Sequence, residues 1–262
     1  MDVHGRRTRA ALEIFAIAAL YLGGELFRGL ADGGRASAVR HADDIVRVER
    51  QLHVFDEAAV QRAVRHVYGL SSFLGYAYLT VHLAVTVAIL IWVYRSHRPA
   101  YGRVRNVLAV ANALGVVGYT LFPTAPPRLA GIGVADTVSH ATSIDITSSL
   151  ASSFYNPYAA FPSMHIGFAL IAGASVWKLA RRPAWRAAGA AYPLVVLLAI
   201  VATGNHFFLD AAAGAAVAAI ALAVVLALSA ARKHVGLTAP SNTWSPYGPG
   251  HSGLATIEER SN

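Results

Sequence analysis

The chain has 262 residues, of which 55% are hydrophobic and only 14% are charged, and this balance excludes an ordinary soluble domain. The absence of cysteine excludes disulfides, thiolate metal ligands and cysteine nucleophiles. The net charge of +8 does not indicate a nucleic-acid partner, because the arginines lie beside hydrophobic segments rather than along one polar face. The composition therefore predicts a membrane protein.

The N-terminal part predicts one membrane span followed by an amphipathic segment. An apolar run after the first arginines continues to about Phe27 and predicts a transmembrane helix; a signal peptide is the alternative, although no clear cleavage site follows. From His41 to Val67, apolar residues recur at three- and four-residue steps with charges between them. This pattern predicts an amphipathic helix or helix pair at the membrane surface, because its charges are costly in hydrocarbon. A helical hairpin that faces solvent without lipid contact is the alternative.

Five further apolar segments predict membrane-spanning helices, since a bilayer core of about 30 Å needs roughly 20 residues. They are residues 70–94, 104–122, 163–180, 187–203 and 207–230. The predicted fold class is thus an all-α integral membrane protein, a bundle of six transmembrane helices with an interfacial amphipathic segment after the first span. The Ser/Thr-rich stretch 130–153 predicts a lid or an exposed connection.

Three parts of the chain are expected from these segments. Residues 1–69 hold the first transmembrane helix and the interfacial segment, and residues 70–235 form a catalytic transmembrane bundle. Residues 236–262 contain prolines and glycines without an apolar period, so they are predicted to be a disordered tail.

The stretch from Asn156 to His165 places a serine and a histidine at the start of a hydrophobic helix. Pro162 fits the first helical position, where an amide has no partner to lose. The first amides of a helix are unpaired and carry the positive end of its dipole. Ser163, the amide of Met164 and His165 are therefore a candidate anion site, for which phosphate is the expected ligand.

A second cluster opens another hydrophobic helix, where four-residue spacing places His206 and Asp210 on one face. A carboxylate in that position can hold one ring nitrogen protonated and leave the other free to attack. Taken singly, His165 is also explained as an interfacial polar residue, and the second pair as a helix-start interaction. His82, inside a predicted span, is either functional or a histidine bonded to a neighbouring helix.

These motifs carry a family resemblance. Pro162 to His165, followed by His206 to Asp210, resembles the second and third motifs of the type 2 phosphatidic acid phosphatase superfamily. Members of that superfamily are integral-membrane enzymes that cleave or transfer lipid phosphates through a phosphohistidine. Phe122 to Arg128 resembles the first motif of the branch that includes inositol phosphorylceramide synthase, an inositolphosphotransferase. The similarity covers about residues 70–230.

The resemblance implies a role for each candidate residue. His206 is the nucleophile that forms the phosphohistidine, Asp210 fixes its tautomer, and His165 donates a proton to the departing oxygen. Arg128 and Ser163 hold the nonbridging oxygens. The implied substrate is a lipid phosphate or phospholipid, with neither cofactor nor metal, and the oligomeric state is left open.

Two motif positions differ from the family pattern, because Leu121 and Ile200 stand where a lysine and an arginine are usual. The alternative function is therefore a transporter or scaffold that keeps the phosphatase-like bundle without catalysis. A second alternative is a zinc site formed by His165, His206 and Asp210, although Arg128 beside a zinc ion would be repelled.

The basic residues near the span ends predict the orientation in the cell membrane. In the six-span topology they fall on one side, which is the predicted cytoplasmic side, and the candidate catalytic residues fall on the extracytoplasmic face. The arginines of residues 28–69 would also lie outside, which counts against this orientation.

Overall fold

The computed structural model describes residues 34–142 and 156–234. The helices in these ranges, in chain order, are α1 (Arg35–Gln51), α2 (Glu57–Arg65), α3 (Leu70–Ser96), α4 (Arg98–Leu121), α5 (Thr137–Thr142), α6 (Met164–Leu179), α7 (Pro183–Ala202) and α8 (Phe208–His234). Over the same ranges there is no strand, and a single β-bridge joins Thr124 to Ala159. The chain divides into two compact units, Met1–Leu226 and Ala227–Asn262, and all candidate catalytic residues lie in the first.

Four helices are long and apolar enough to cross a membrane, namely α3, α4, α7 and residues Phe208–Arg232 of α8. Helix α6 is apolar but has only 16 residues. At a rise of 1.5 Å per residue it covers about 24 Å, less than a hydrocarbon core of about 30 Å. The predicted first span and the predicted disordered tail lie outside the described residues, so the six-span topology stays a prediction.

Large apolar side chains cover the outside of these helices. Only 22% to 33% of each candidate span is buried within the protein. Leu83, Val87 and Ile91 form an exposed stripe along α3, and Leu194 and Leu198 form another on α7. A continuous apolar surface of this kind is an aggregation liability in water but suits contact with lipid tails. The exposed stripes therefore agree with a membrane protein.

Prolines and glycines set where the helices begin and how closely they pack. Pro99 and Pro183 lie in the first turns of α4 and α7, where a missing amide costs nothing. A Cβ built on Gly189 of α7 would lie 2.7 Å from the carbonyl oxygen of Gly173 on α6. The two backbones are thus in contact, as small residues allow between membrane helices.

The amphipathic segment forms the helix pair α1–α2, which packs on the bundle. Between the two helices, His53 has a φ of 58°. The amide of Ala125 donates to the carbonyl of Ala38 on α1 at 3.0 Å. The side chain of Gln61 on α2 donates to Ala135 O at 2.9 Å and to Ala202 O at 3.2 Å. The pair is held by polar contacts to the protein, and its place at a membrane surface stays a prediction.

The stretch predicted to be a lid or exposed connection is described as far as residue 142. In this part Val134, Thr137 and Val138 are buried. Helix α5 lies against the first turns of α3. These contacts pack the first part of the stretch into the protein. The rest lies outside the described residues.

Candidate active site

Three segments meet at the end of the bundle where α4 and α7 end and α6 and α8 begin. The amide of Thr124, after α4, donates to Tyr158 O at 2.6 Å, and the amide of Ala160 donates to Thr124 O at 3.3 Å. The amide of Arg128 donates to Gly204 O, in the turn between α7 and α8, at 3.0 Å. Backbone hydrogen bonds thus join all three predicted motifs, although they are far apart in the chain.

The turn between α7 and α8 depends on glycine at position 204. Gly204 has a φ of 71°, and a Cβ built there would lie 3.0 Å from the carbonyl oxygen of Ala135. A side chain would be strained by the backbone conformation and would also be crowded. The amide of His206 folds back to Ile200 O at 3.2 Å. The tight turn therefore fixes the position of His206 directly before α8.

His206 is 4% exposed, and its ring nitrogen Nδ1 has two oxygen neighbours. The carbonyl oxygen of Ala160 lies at 2.9 Å and Oδ2 of Asp210 at 3.4 Å. A carbonyl oxygen can only accept, so Nδ1 carries the proton and Nε2 keeps its lone pair. Nδ1 therefore lies near the carboxylate expected from the sequence and also near a carbonyl oxygen that the sequence did not predict.

Asp210 links the second and third motifs. Its side chain is fully buried, and Oδ2 accepts from the amide of Phe207 at 2.8 Å, which caps the start of α8. Its backbone oxygen accepts from the amide of Ser163 at 2.9 Å. One turn later, a Cβ built on Gly214 would overlap the carbonyl oxygen of Ser163. Helix α8 therefore lies directly against the chain at Ser163.

Ser163 is the N-cap of α6, and the helix begins at Met164. The prediction that Pro162 takes the first helical position is wrong, because Ser163 after it is still extended, with φ −73° and ψ 102°. The Ser163 amide binds Asp210 O instead of remaining unpaired. The hydroxyl Oγ is buried and makes no hydrogen bond to the described residues. It is a donor in need of an acceptor.

His165 lies in the first turn of α6, and its ring centroid is 5.4 Å from that of His206. The ring also stacks on Tyr78 at 4.6 Å. Tyr78 comes from a π-helical turn of α3, Ala77–Val81, and such turns are frequent at functional sites. The structure thus brings the two predicted catalytic histidines together and adds an aromatic support that the sequence pattern did not indicate.

His82 is bonded to a neighbouring helix, as one of the two interpretations of its sequence position predicted. Its Nδ1 lies 2.9 Å from the hydroxyl of Tyr192 on α7. Its ring centroid is also 5.1 Å from that of His165. The residue therefore lies behind the candidate site and contacts it.

Arg128 is held by an asparagine from the turn before α8. Its Nε donates to Asn205 Oδ1 at 3.0 Å, and Asn205 in turn donates to Thr203 Oγ1 at 2.9 Å. The Arg128 side chain is 1% exposed, and Nη1 lies 4.0 Å from Asp136 Oδ2, too far for a hydrogen bond. Asn205 was missed as a functional residue, and its position directly before His206 was the available signal.

The two positions that differ from the resembled motifs are apolar in structure as well. Leu121 is 75% exposed at the end of α4, and Ile200 is fully buried in a hydrophobic cluster of α6, α7 and α8. Neither position therefore brings a cation to the site.

The zinc alternative does not fit this geometry. Asp210 faces the protonated Nδ1 edge of His206, whereas the free lone pair is on Nε2. One ion cannot contact that lone pair and the carboxylate together. Within residues 34–142 and 156–234, no group of three or more His, Asp or Glu side chains is arranged to hold a metal ion.

Comparison with known families gives one match. A family model described as the PAP2 superfamily matches residues 43–224, more than half of the chain. The matched range includes Arg128, Ser163, His165, His206 and Asp210. The comparisons with curated proteins and with solved structures return no match.

Proposed function

The chain belongs to the PAP2 superfamily, and we propose that it is a membrane lipid phosphatase or phosphotransferase that works through a phosphohistidine on His206. The observation that carries the proposal is the pair of oxygen atoms beside Nδ1 of His206. Its Nδ1 is held by Ala160 O and Asp210, which leaves the Nε2 lone pair available as a nucleophile. The candidate membrane spans support a substrate that lies in the bilayer.

In the first step, Nε2 of His206 attacks phosphorus and the bond from phosphorus to the leaving oxygen breaks. His165, protonated, gives its proton to that oxygen, so that an alcohol departs instead of an alkoxide. The ring centroids of the two histidines are 5.4 Å apart, which supports a shared role at one site. The product of the step is an N–P bond on His206.

Two buried donors are suited to bind the phosphoryl oxygens. Arg128 Nη1 and Ser163 Oγ are both buried and make no hydrogen bond to the described residues. Leaving such donors unpaired is unfavourable, and a phosphate oxygen satisfies both. Because they are fixed before substrate binds, they stabilise the developing charge without reorganisation.

In the second step, an acceptor oxygen attacks phosphorus while neutral His165 takes its proton, and the N–P bond breaks. Water as acceptor gives phosphate, and an alcohol such as inositol gives a new phosphoester. The Phe122 to Arg128 stretch resembles the inositolphosphotransferase branch, and this favours an alcohol. We place the reaction at the extracytoplasmic face on the distribution of the arginines.

The test is product analysis with purified protein in detergent. A panel of lipid phosphates, with and without inositol or a sugar, is followed by mass spectrometry and by phosphate release. We expect turnover that survives EDTA and is lost in His206→Ala. If the folded protein turns over none of the panel, the transporter or scaffold alternative, motivated by Leu121 and Ile200, replaces this proposal.

A further inference from the structure

Two acidic residues of the amphipathic helix pair lie fully buried at the start of α8. Glu49 of α1 and Glu57 of α2 are both 0% exposed. Glu49 Oε1 accepts from the amide of Leu209 at 2.7 Å, and Glu57 Oε1 accepts from the amide of Phe208 at 3.2 Å. Together with Asp210, which takes the amide of Phe207, three carboxyl groups occupy three consecutive amides.

The remaining oxygens of the pair need a proton between them. Oε2 of Glu49 and Oε2 of Glu57 are buried, and no amide or hydroxyl of the described residues donates to either. The two carboxyl groups lie beside each other, because the amides that donate to them are consecutive in the chain. Two ionised carboxylates at this separation repel strongly when they are out of water. A single shared proton removes one charge and satisfies both oxygens.

The environment favours the protonated form. Burial first, and then the hydrogen bond to Glu57, raise the pKa of Glu49 from 4.5 to about 9. The titratable groups that face it are Glu57 from α2 and Asp210 from α8, and both charges act in the same direction. Near neutral pH Glu49 therefore keeps its proton.

We propose that Glu49 and Glu57 are a proton-sharing pair of positioning residues that fixes the first turn of α8 and thereby aims Asp210 and His206. The inference rests on the function proposed above. The pair holds the amides of residues 208 and 209 while Asp210 holds the amide of 207, so the turn cannot rotate without breaking several bonds. The bundle thereby gains its catalytic geometry from the segment that precedes it.

The first arm of the test is the pH dependence of kcat. One pH unit above a pKa of about 9, only about one pair in ten keeps its proton. The parent protein should therefore lose about tenfold in kcat between pH 8 and pH 10 if the second charge disorders the turn. Glu49→Gln keeps both hydrogen bonds and cannot ionise, so its alkaline decline should be absent.

Substitution by alanine and an exposed control separate positioning from general damage. Glu49→Ala should lower kcat about tenfold at all pH values with KM nearly unchanged, and the glutamine variant should restore it. Asp44→Asn removes an exposed acid of the same helix and should keep the parental profile. An alkaline decline in Glu49→Gln equal to that of the parent, or its loss in Asp44→Asn, would overturn the inference.

The second arm measures Tm against pH and does not depend on activity. The folded pKa of Glu49 lies above its ordinary value, so its contribution to stability is full below about pH 4.5 and is lost as the pH rises towards about 9. The parent should therefore lose more Tm over that interval than Glu49→Gln. Equal losses contradict the shared proton. A parent without activity contradicts the proposed function instead, and Tm alone then decides whether the proton is shared.

Discussion

At the scale of single residues, the two histidines of the candidate site have different surroundings. His206 is buried, and its Nδ1 is committed to a carbonyl and a carboxylate. His165 is only half-buried and is supported by stacking on Tyr78. A ring that is locked in one tautomer suits a nucleophile, whereas a ring that gains and loses a proton suits an acid and base.

This difference predicts distinct substrate dependence for two variants. His206→Ala should abolish turnover of every substrate, because no covalent intermediate forms. His165→Ala should lose about 10²–10⁴-fold on an alkyl lipid phosphate but retain more activity on a nitrophenyl ester, whose leaving group needs no proton. Rates on both esters are the measurement. If His165→Ala loses both equally while His206→Ala keeps the activated ester, the assigned roles are reversed.

Asn205 should matter through Arg128. Removing an acceptor from a charged group costs about 1.5–3 kcal/mol, so Asn205→Ala should lower kcat/KM about tenfold to a hundredfold on all substrates. Arg128→Lys keeps the charge but loses the planar guanidinium group that reaches Asn205 Oδ1. It should lower kcat/KM by a similar factor on all substrates. Since both changes remove the bond between Arg128 and Asn205, the double variant should be little worse than Arg128→Lys alone. Full additivity would show that the two residues act separately.

At the scale of helices, the contact between α8 and the start of α6 is the closest determinant of site geometry. A Cβ at Gly214 would overlap the carbonyl of Ser163. Gly214→Ala should therefore displace α8 from the start of α6 and destabilise the protein by about 1–3 kcal/mol. Gly102→Ala in α4 is the matched control, because nothing lies within 4 Å of its Cβ position. That control should be neutral or stabilising by up to about 1 kcal/mol. Tm and kcat of both variants in detergent test the contact, and equal behaviour would refute it.

Much of the helical frame could be predicted, because it depends on local apolar length and on prolines. The predicted segment 163–180 corresponds to Met164–Leu179, and 187–203 to Pro183–Ala202. The polar contacts of the site could not be predicted in the same way. Glu49 accepts a hydrogen bond from an amide 160 residues away in the chain. Nothing in the local sequence pattern distinguishes Glu49 from a solvent-exposed acid.

The amphipathic pattern predicted helices over residues 41–67 but did not indicate which face would contact the rest of the protein. Val48 is 42% and Leu52 58% exposed, whereas Glu49 is fully buried. Helical periodicity reports which residues are apolar, but α1 presents one face to protein and leaves other apolar side chains outside. Only the carboxyl-to-amide contacts with α8 reveal which face is inside.

At the scale of the whole molecule, the helix order separates the arginine-rich turns from the site. Arg98 begins α4 directly after the turn at His97, and Arg181 and Arg182 lie in the connection after α6. The candidate site lies at the opposite ends of α4 and α6. There the Thr124–Ala159 bridge joins the segment after α4 to the segment before α6. The two groups therefore occupy opposite ends of the bundle, and the short basic turns favour the cytoplasm for their own end.

Reporter fusions test this orientation. A reporter after Arg182 should read cytoplasmic, and one inserted near Ser143 should read external. An insertion at His97, in the turn between α3 and α4, is the control, and it should agree with Arg182 because both turns lie at the basic end. The arginines of α1 and α2 lie at the site end and oppose this orientation. Arg47, however, is paired with Asp44 at 3.0 Å, and short basic turns weigh most in setting topology. Opposite readings at Arg182 and Ser143 would place the site at the inner leaflet, where the substrate would have to be a cytoplasmic-face lipid.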